Sequence, residues 1–67
     1  MTITDLIEMP LVWERQTKNT FMCDIGRMPV TLRVNDYPDE SLFTLYFLGE
    51  SLEIEESPSN WILHYDL

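Results

Sequence analysis

The sequence predicts a mostly β fold: a small five-stranded antiparallel meander curled towards an open barrel, with room for one short terminal helical turn. Short segments in which apolar and polar residues alternate are typical of strands with one buried face. Turn-forming residues separate these segments, and no repeat, linker or low-complexity run interrupts them. Because 67 residues suffice for only one core, residues 1–67 are expected to form a single small acidic β domain.

The first strand is predicted over residues 11–15, where Leu11 and Trp13 fall on one face of an extended chain. The pair Lys18-Asn19 follows and favours a turn. We therefore expect the chain to reverse direction before residue 20.

The next two strands carry the clearest alternation. Residues 21–25 alternate with period two and stop at Gly26. Residues 30–34 alternate in the same way, and Pro29 fits only at the beginning of that strand, where its missing N–H costs no ladder bond. These two segments predict an antiparallel pair.

The longest loop is predicted over residues 35–40, which are dense in turn formers and exposed; Pro38 biases Tyr37 towards an extended conformation. Residues 42–48 follow as an almost continuous apolar strand. Continuous rather than alternating apolar character predicts cover on both faces, either by a curled sheet or by another molecule. Gly49-Glu50 is the predicted tight turn into a last alternating strand that contains Leu52 and Ile54.

The two ends of the chain are less regular. Ser57-Pro58 is typical of a helix N-cap, yet Trp61, Leu63 and Tyr65 alternate as in a strand, and for residues 58–65 we favour a turn and a short strand. At the start, Thr4 is expected to cap one helical turn over residues 5–8, which Pro10 ends.

Net charge is −8, and all of it lies in the second half of the chain. The first 35 residues balance four bases against four acids, whereas residues 36–67 contain no lysine or arginine. An acidic surface repels a phosphate backbone, so no direct nucleic-acid binding is expected. A basic protein surface would instead be attracted.

The residues that could carry chemistry are too few for a catalytic or metal centre. Cys23 and His64 are the only thiol and imidazole; two ligands do not make a structural zinc site, and no serine lies in a glycine-flanked elbow. Asp36, Asp39 and Glu40 could hold a hard cation, but turn chemistry explains them as well. We therefore predict no enzyme activity, no cofactor and no metal.

The sharpest charge run follows the predicted last turn. Glu53 and Glu55 would share a strand face about 6.8 Å apart, either as a solvated edge that resists aggregation or as a negative strip for a partner. Exposed aromatic residues beside acids make good interface anchors. The predicted partner-binding residues are Glu50, Glu53, Glu55, Glu56, Asp36, Tyr37, Asp39, Glu40 and Tyr46.

Localisation and function follow from these exclusions. The start of the chain lacks signal-peptide features, and the uncharged stretches 41–49 and 57–65 fall short of the roughly 20 apolar residues that span a bilayer. One cysteine favours a reducing cytoplasm. We predict a non-enzymatic inhibitor or regulator that docks on a basic protein surface, a profile analogous in composition to phage-type inhibitors and immunity proteins. The alternative is a structural or accessory subunit that forms a homodimer through the apolar strand 42–48.

Overall fold

The computed structural model describes residues 1–63 and contains one five-stranded sheet behind a short helix. Neighbouring strands are antiparallel and lie in chain order, and β1 and β5 are its two outermost strands. The predicted open meander with one short terminal helix is therefore confirmed. The elements are a 3-10 helix over Ile3–Glu8, β1 Glu14–Arg15, β2 Thr20–Ile25, β3 Met28–Val34, β4 Phe43–Phe47 and β5 Glu50–Ile54.

Two tight hairpins organise the sheet. Ile25 pairs with Met28 around a two-residue turn in which Gly26 has φ +62°. The second turn lies between Phe47 and Glu50, which pair, and its central residues Leu48 and Gly49 have φ +50° and +79°. Positive φ at both central positions is the type I′ pattern, which matches the twist of paired strands. The turn predicted at Gly49-Glu50 thus begins one residue earlier, because Glu50 already belongs to β5.

The core lies on one face of the sheet. Phe21, Leu32 and Leu45 are paired across β2, β3 and β4 and are fully buried. Ile3 and Leu6 of the 3-10 helix close over this face, together with two tryptophans. Burial of each large apolar side chain contributes about 1.5–3 kcal/mol, so this layer is the main source of stability.

The end of the described chain forms backbone hydrogen bonds with the extended segment before β1. Val12 and Ile62 form a parallel bridge, in which the N–H of Trp13 donates to the Ile62 carbonyl at 3.0 Å. The N–H of Trp61 donates to the Pro58 carbonyl and closes a turn. Residues 58–63 therefore contain the predicted turn and a single bridge in place of a strand. Tyr65, at the end of the predicted segment, lies outside the described residues.

Two tryptophans join this segment to the helix. The rings of Trp13 and Trp61 meet edge to face, with centroids 5.0 Å apart. The indole N–H of Trp61 donates to the carbonyl of Leu6 at 2.9 Å, in a buried position. This bond connects residues 55 positions apart, so it holds the helix, the sheet and the end of the described chain in one core.

The prediction that a curled sheet covers both faces of β4 is wrong, whereas cover of the second face by another molecule stays a prediction. Phe43, Leu45 and Phe47 are buried, whereas Tyr46 remains 41% exposed on the opposite face and Leu48 is 66% exposed. The apolar run over residues 42–48 includes Leu42, which lies in a loop, and Leu48, which lies in a turn. Within β4 itself, buried and more exposed side chains alternate. One face of β4 is therefore open in the described chain.

The first elements also differ from their predicted bounds. The helix begins at Ile3 rather than after Thr4, because the Asp5 carboxylate accepts a hydrogen bond from the Thr2 N–H at 2.8 Å. The first strand is predicted over residues 11–15, but it contains only Glu14–Arg15. No helix within residues 1–63 has the length and apolar character needed to cross a membrane.

Candidate protein-binding surfaces

The predicted binding residues come from three segments, and the strand register decides which of them meet. Val34 pairs with Phe43, and Phe43 pairs with Ile54, so the ends of β3 and β5 flank the start of β4. The loop after β3 and the bend after β5 therefore leave the sheet at the same end. We call this end, with residues 35–42 and 55–56, the loop end.

The loop end gathers most of the predicted acids. Asp36, Tyr37, Asp39 and Glu40 are all exposed, Tyr37 to 60%. Glu55 and Glu56 are also exposed and follow the last residue of β5. Two segments separated by twelve residues in sequence thus contribute carboxylates to one end of the sheet, with an exposed tyrosine among them.

Part of this acidity serves the loop itself. The Glu40 carboxylate accepts a hydrogen bond from the Asp36 N–H at 3.2 Å, and the Glu40 N–H donates to the Asp36 carbonyl at 2.8 Å. Asn35 donates from its side chain to the Thr44 hydroxyl at 2.7 Å. Turn chemistry therefore accounts for Glu40. Within residues 1–63, no cluster of three or more His, Cys, Asp or Glu side chains is arranged to hold a metal ion.

Tyr46 and Glu53 lie on the face of the sheet opposite the core, which we call the outer face. Tyr46 pairs with Ser51 and Glu53 pairs with Thr44, so the two are diagonal neighbours, about 7–8 Å apart at the backbone. Glu53 is exposed. The sheet thus places one predicted aromatic residue beside one predicted carboxylate.

Glu50 lies apart from the other predicted residues. It is the first residue of β5, next to the hairpin turn, whereas Glu55 follows the other end of this strand. Five residues of extended chain place the two about 17 Å apart. There it borders a cavity of about 310 Å³ together with Met1, Thr2, Ile3, Phe47 and Leu48. The predicted acidic strip is therefore divided between the two ends of β5.

The carboxylates have no internal counter-ions among the described residues. No lysine or arginine within residues 1–63 forms an ion pair with a carboxylate of the same part of the chain. Arg15 lies over the ring of Phe21, 5.5 Å from its centroid. Arg33 is on the outer face, but Thr44 stands between it and Glu53 across two strand spacings of about 4.8 Å each.

A further groove was not predicted from the sequence. It has a volume of about 360 Å³ and lies where β1 meets β2; its lining residues are Val12, Glu14, Gln16, Met22, Cys23 and Asp24. Its two acids belong to the first half of the chain, whose charges sum to zero, so the net charge of each half does not indicate this groove. The signal that could have found it is the pairing of residues 11–15 with residues 21–25.

Cys23 is half-buried and points to the core face, since it pairs with the buried Val30. Burial raises the pKa of its thiol to about 11, and the neighbouring Asp24 charge adds to the effect. The thiol is therefore protonated at neutral pH and is a poor nucleophile. His64, the other residue considered for chemistry, lies outside the described residues.

Comparison of the chain with models of protein families, with curated proteins and with solved structures finds no match.

Proposed function

We propose that this chain is a non-enzymatic, acidic protein-binding module of the cytoplasm. It docks on a basic surface of a partner protein and thereby inhibits or regulates that partner. The observation that carries the proposal is the state of the acids between residues 36 and 56. All seven are exposed, and none forms an ion pair with another residue of the described chain.

Physical chemistry favours a role for these charges outside the fold. Stability comes from an apolar layer that contains no buried charged residue among residues 1–63. Like charges concentrated without counter-ions repel one another, so they oppose the compact state. The same charges attract a basic surface and accelerate its association, most strongly at low ionic strength.

The experiment is capture of partners from a native extract with the wild-type protein and two charge-matched variants. Glu53→Lys reverses a carboxylate on the outer face, and Glu8→Lys makes the same change in the helix that covers the opposite face. We expect wild type and Glu8→Lys to recover the same basic protein and Glu53→Lys to recover much less. A partner recovered equally by all three proteins contradicts the proposal.

Inhibition is tested on the partner itself. Once purified, the partner should lose its own activity as the wild-type protein is added, with a stoichiometric end point. If the partner binds nucleic acid, this protein and the nucleic acid, which are both acidic, should compete for the same basic cleft. Added nucleic acid should then displace the protein. Simultaneous binding of both would show that the interface is elsewhere.

The 41% exposure of Tyr46 on the outer face also favours self-association as a second candidate. The hydrogen-bonding edges of β4 are both occupied, by β3 and β5, so a homodimer could use strand 42–48 only through its outer face at Tyr46. Sedimentation at high protein concentration tests this candidate. A dimer that Tyr46→Glu converts to a monomer would support it, because a charge would be placed in a desolvated contact. A wild-type monomer at all concentrations would eliminate it.

A further inference from the structure

The outer face of the sheet has a continuous row of side chains that crosses all five strands. The pairing partners follow one another from β1 to β5 as Glu14, Met22, Thr31, Tyr46 and Ser51. The helix and the tryptophans pack on the other face, so nothing in residues 1–63 covers this row. Apolar and polar side chains therefore share one accessible surface.

The groove of about 360 Å³ lies at the β1 end of this row. Met22 is half-buried and Val12 is 64% exposed, and both contribute apolar side chains to the lining. Glu14 pairs with Met22, and Asp24 follows two residues later on the same face, so the two acids are diagonal neighbours. Their backbones are about 7–8 Å apart.

No cation of the described chain neutralises this groove. Its lining contains neither lysine nor arginine, and Glu14 and Asp24 form no ion pair with any residue of 1–63. Arg15, the nearest base in sequence, is on the other face of β1 and lies over Phe21. The groove therefore combines two carboxylates with the apolar side chains of Met22 and Val12, and it has no counter-ion among the described residues.

We propose that this groove receives an arginine or lysine side chain of the partner protein, and that the outer face with Tyr46 and Glu53 is the docking surface around it. The methylene stem packs on Met22 and Val12, and the cation lies between the carboxylates of Glu14 and Asp24. Arginine is the better occupant, because its planar fork can donate to both carboxylates. The inference rests on the proposed function, since a protein partner supplies the cation.

A second copy of this chain fits the groove less well. Each copy carries a net charge of −8, so two outer faces would bring carboxylates together. The mixed apolar and acidic surface is instead complementary to a basic partner with long, partly aliphatic side chains. Capture of a basic side chain would also explain why an open sheet face keeps exposed apolar residues.

The test uses N-acetyl-arginine amide as a probe, titrated into isotopically labelled protein and followed by the backbone amide signals. The control probe is N-acetyl-citrulline amide, which has nearly the same shape without the charge. We expect saturable shifts centred on Glu14, Met22 and Asp24 with a weak dissociation constant, on the order of tens of millimolar, since each exposed ion pair contributes at most about 1 kcal/mol. The citrulline probe should give no comparable response.

A matched pair of double variants separates the groove from general acidity. Glu14→Gln with Asp24→Asn removes two charges from the groove, and Glu55→Gln with Glu56→Gln removes two charges from the loop end. All four positions are exposed and the changes keep side-chain shape, so both variants should retain the dispersed amide spectrum of the folded protein. Only the groove variant should lose the saturable shifts.

Three results would overturn the inference. The first is a response spread evenly over all carboxylates, the second is an equal response to citrulline, and the third is retention of the response by the groove variant. Failure of the proposed function gives a different result. The wild-type protein would then recover no basic partner from an extract, even if the groove binds the arginine probe. A recovered partner that binds the groove variant as tightly as wild type would also overturn the groove's role while leaving the proposed function in place.

Discussion

The two tryptophans of the core allow a controlled measurement of one buried hydrogen bond. Trp13 and Trp61 are almost equally buried, at 5% and 6% exposure, and their rings touch. They differ in the indole N–H: that of Trp61 donates to the Leu6 carbonyl at 2.9 Å, whereas that of Trp13 has no hydrogen-bond partner among the described residues. Trp61→Phe and Trp13→Phe therefore remove the same atoms from the same core with different polar consequences.

The expected difference follows from the cost of each polar group. Trp61→Phe loses one buried hydrogen bond, worth about 1 kcal/mol net, since the Leu6 carbonyl keeps a second donor in the Met9 N–H at 3.3 Å. Trp13→Phe instead removes a buried donor without a partner, which relieves an unfavourable burial of about 1 kcal/mol or more. Trp61→Phe should therefore be less stable than Trp13→Phe by about 2 kcal/mol.

Thermal and urea unfolding followed by far-ultraviolet circular dichroism measures this difference, because the signal does not depend on the tryptophan removed. For a domain of this size, 2 kcal/mol corresponds to a gap of about 10 °C in Tm. Equal losses in the two variants, or a greater loss for Trp13→Phe, would refute the account of how residues 61–63 are fastened to the helix.

Three other perturbations test local features. Leu48→Asn should raise the free energy of unfolding by about 1 kcal/mol, because leucine is disfavoured at φ +50° and asparagine tolerates it; a lower Tm would contradict this account of the turn. The hydrogen bonds from Thr2 hold the pKa of Asp5 below its ordinary value of 3.8, so the stability it adds is present above that pH and is lost as pH falls through the lower folded-state value. The Tm advantage of wild type over Asp5→Asn should accordingly shrink below pH 3.8, and an advantage that stays constant into strong acid would show that the carboxylate has no such role. Iodoacetamide should alkylate Cys23 about 100-fold more slowly at pH 8 in the native protein than in urea, because its thiol has a pKa of about 11 against an ordinary 9.0; equal rates would show that the thiol is not held by burial.

The strands with strict alternation could be predicted because burial follows the same period. In β3 the buried Val30 and Leu32 alternate with residues that lie on the outer face, and Gly26 marks the turn before it. Only pairing fixes where an element ends. Leu48 looks like a strand residue in the sequence, but the pairing of Phe47 with Glu50 makes it part of the turn.

The grouping of charges could not be predicted from their order along the chain. Glu50 and Glu55 are near neighbours in sequence but lie at opposite ends of β5, while Glu55 lies near the loop of Asp36 because β3 and β5 end beside the start of β4. Glu14 and Asp24 lie ten positions apart in a half of the chain with no net charge, and the β1–β2 pairing brings them into one groove. Strand register, which depends on contacts far apart in sequence, decides each of these outcomes.

If unpaired carboxylates attract this protein to a basic partner, added salt should slow the association of the two proteins. The most direct measurement is the association rate with the partner recovered by wild-type protein, determined by stopped flow at salt concentrations from about 0.05 M to about 0.5 M. We expect fast association that slows steeply as salt rises, with a flatter dependence for Glu53→Lys than for Glu8→Lys. An association rate that does not change with salt, or the same salt dependence for both variants, would contradict it.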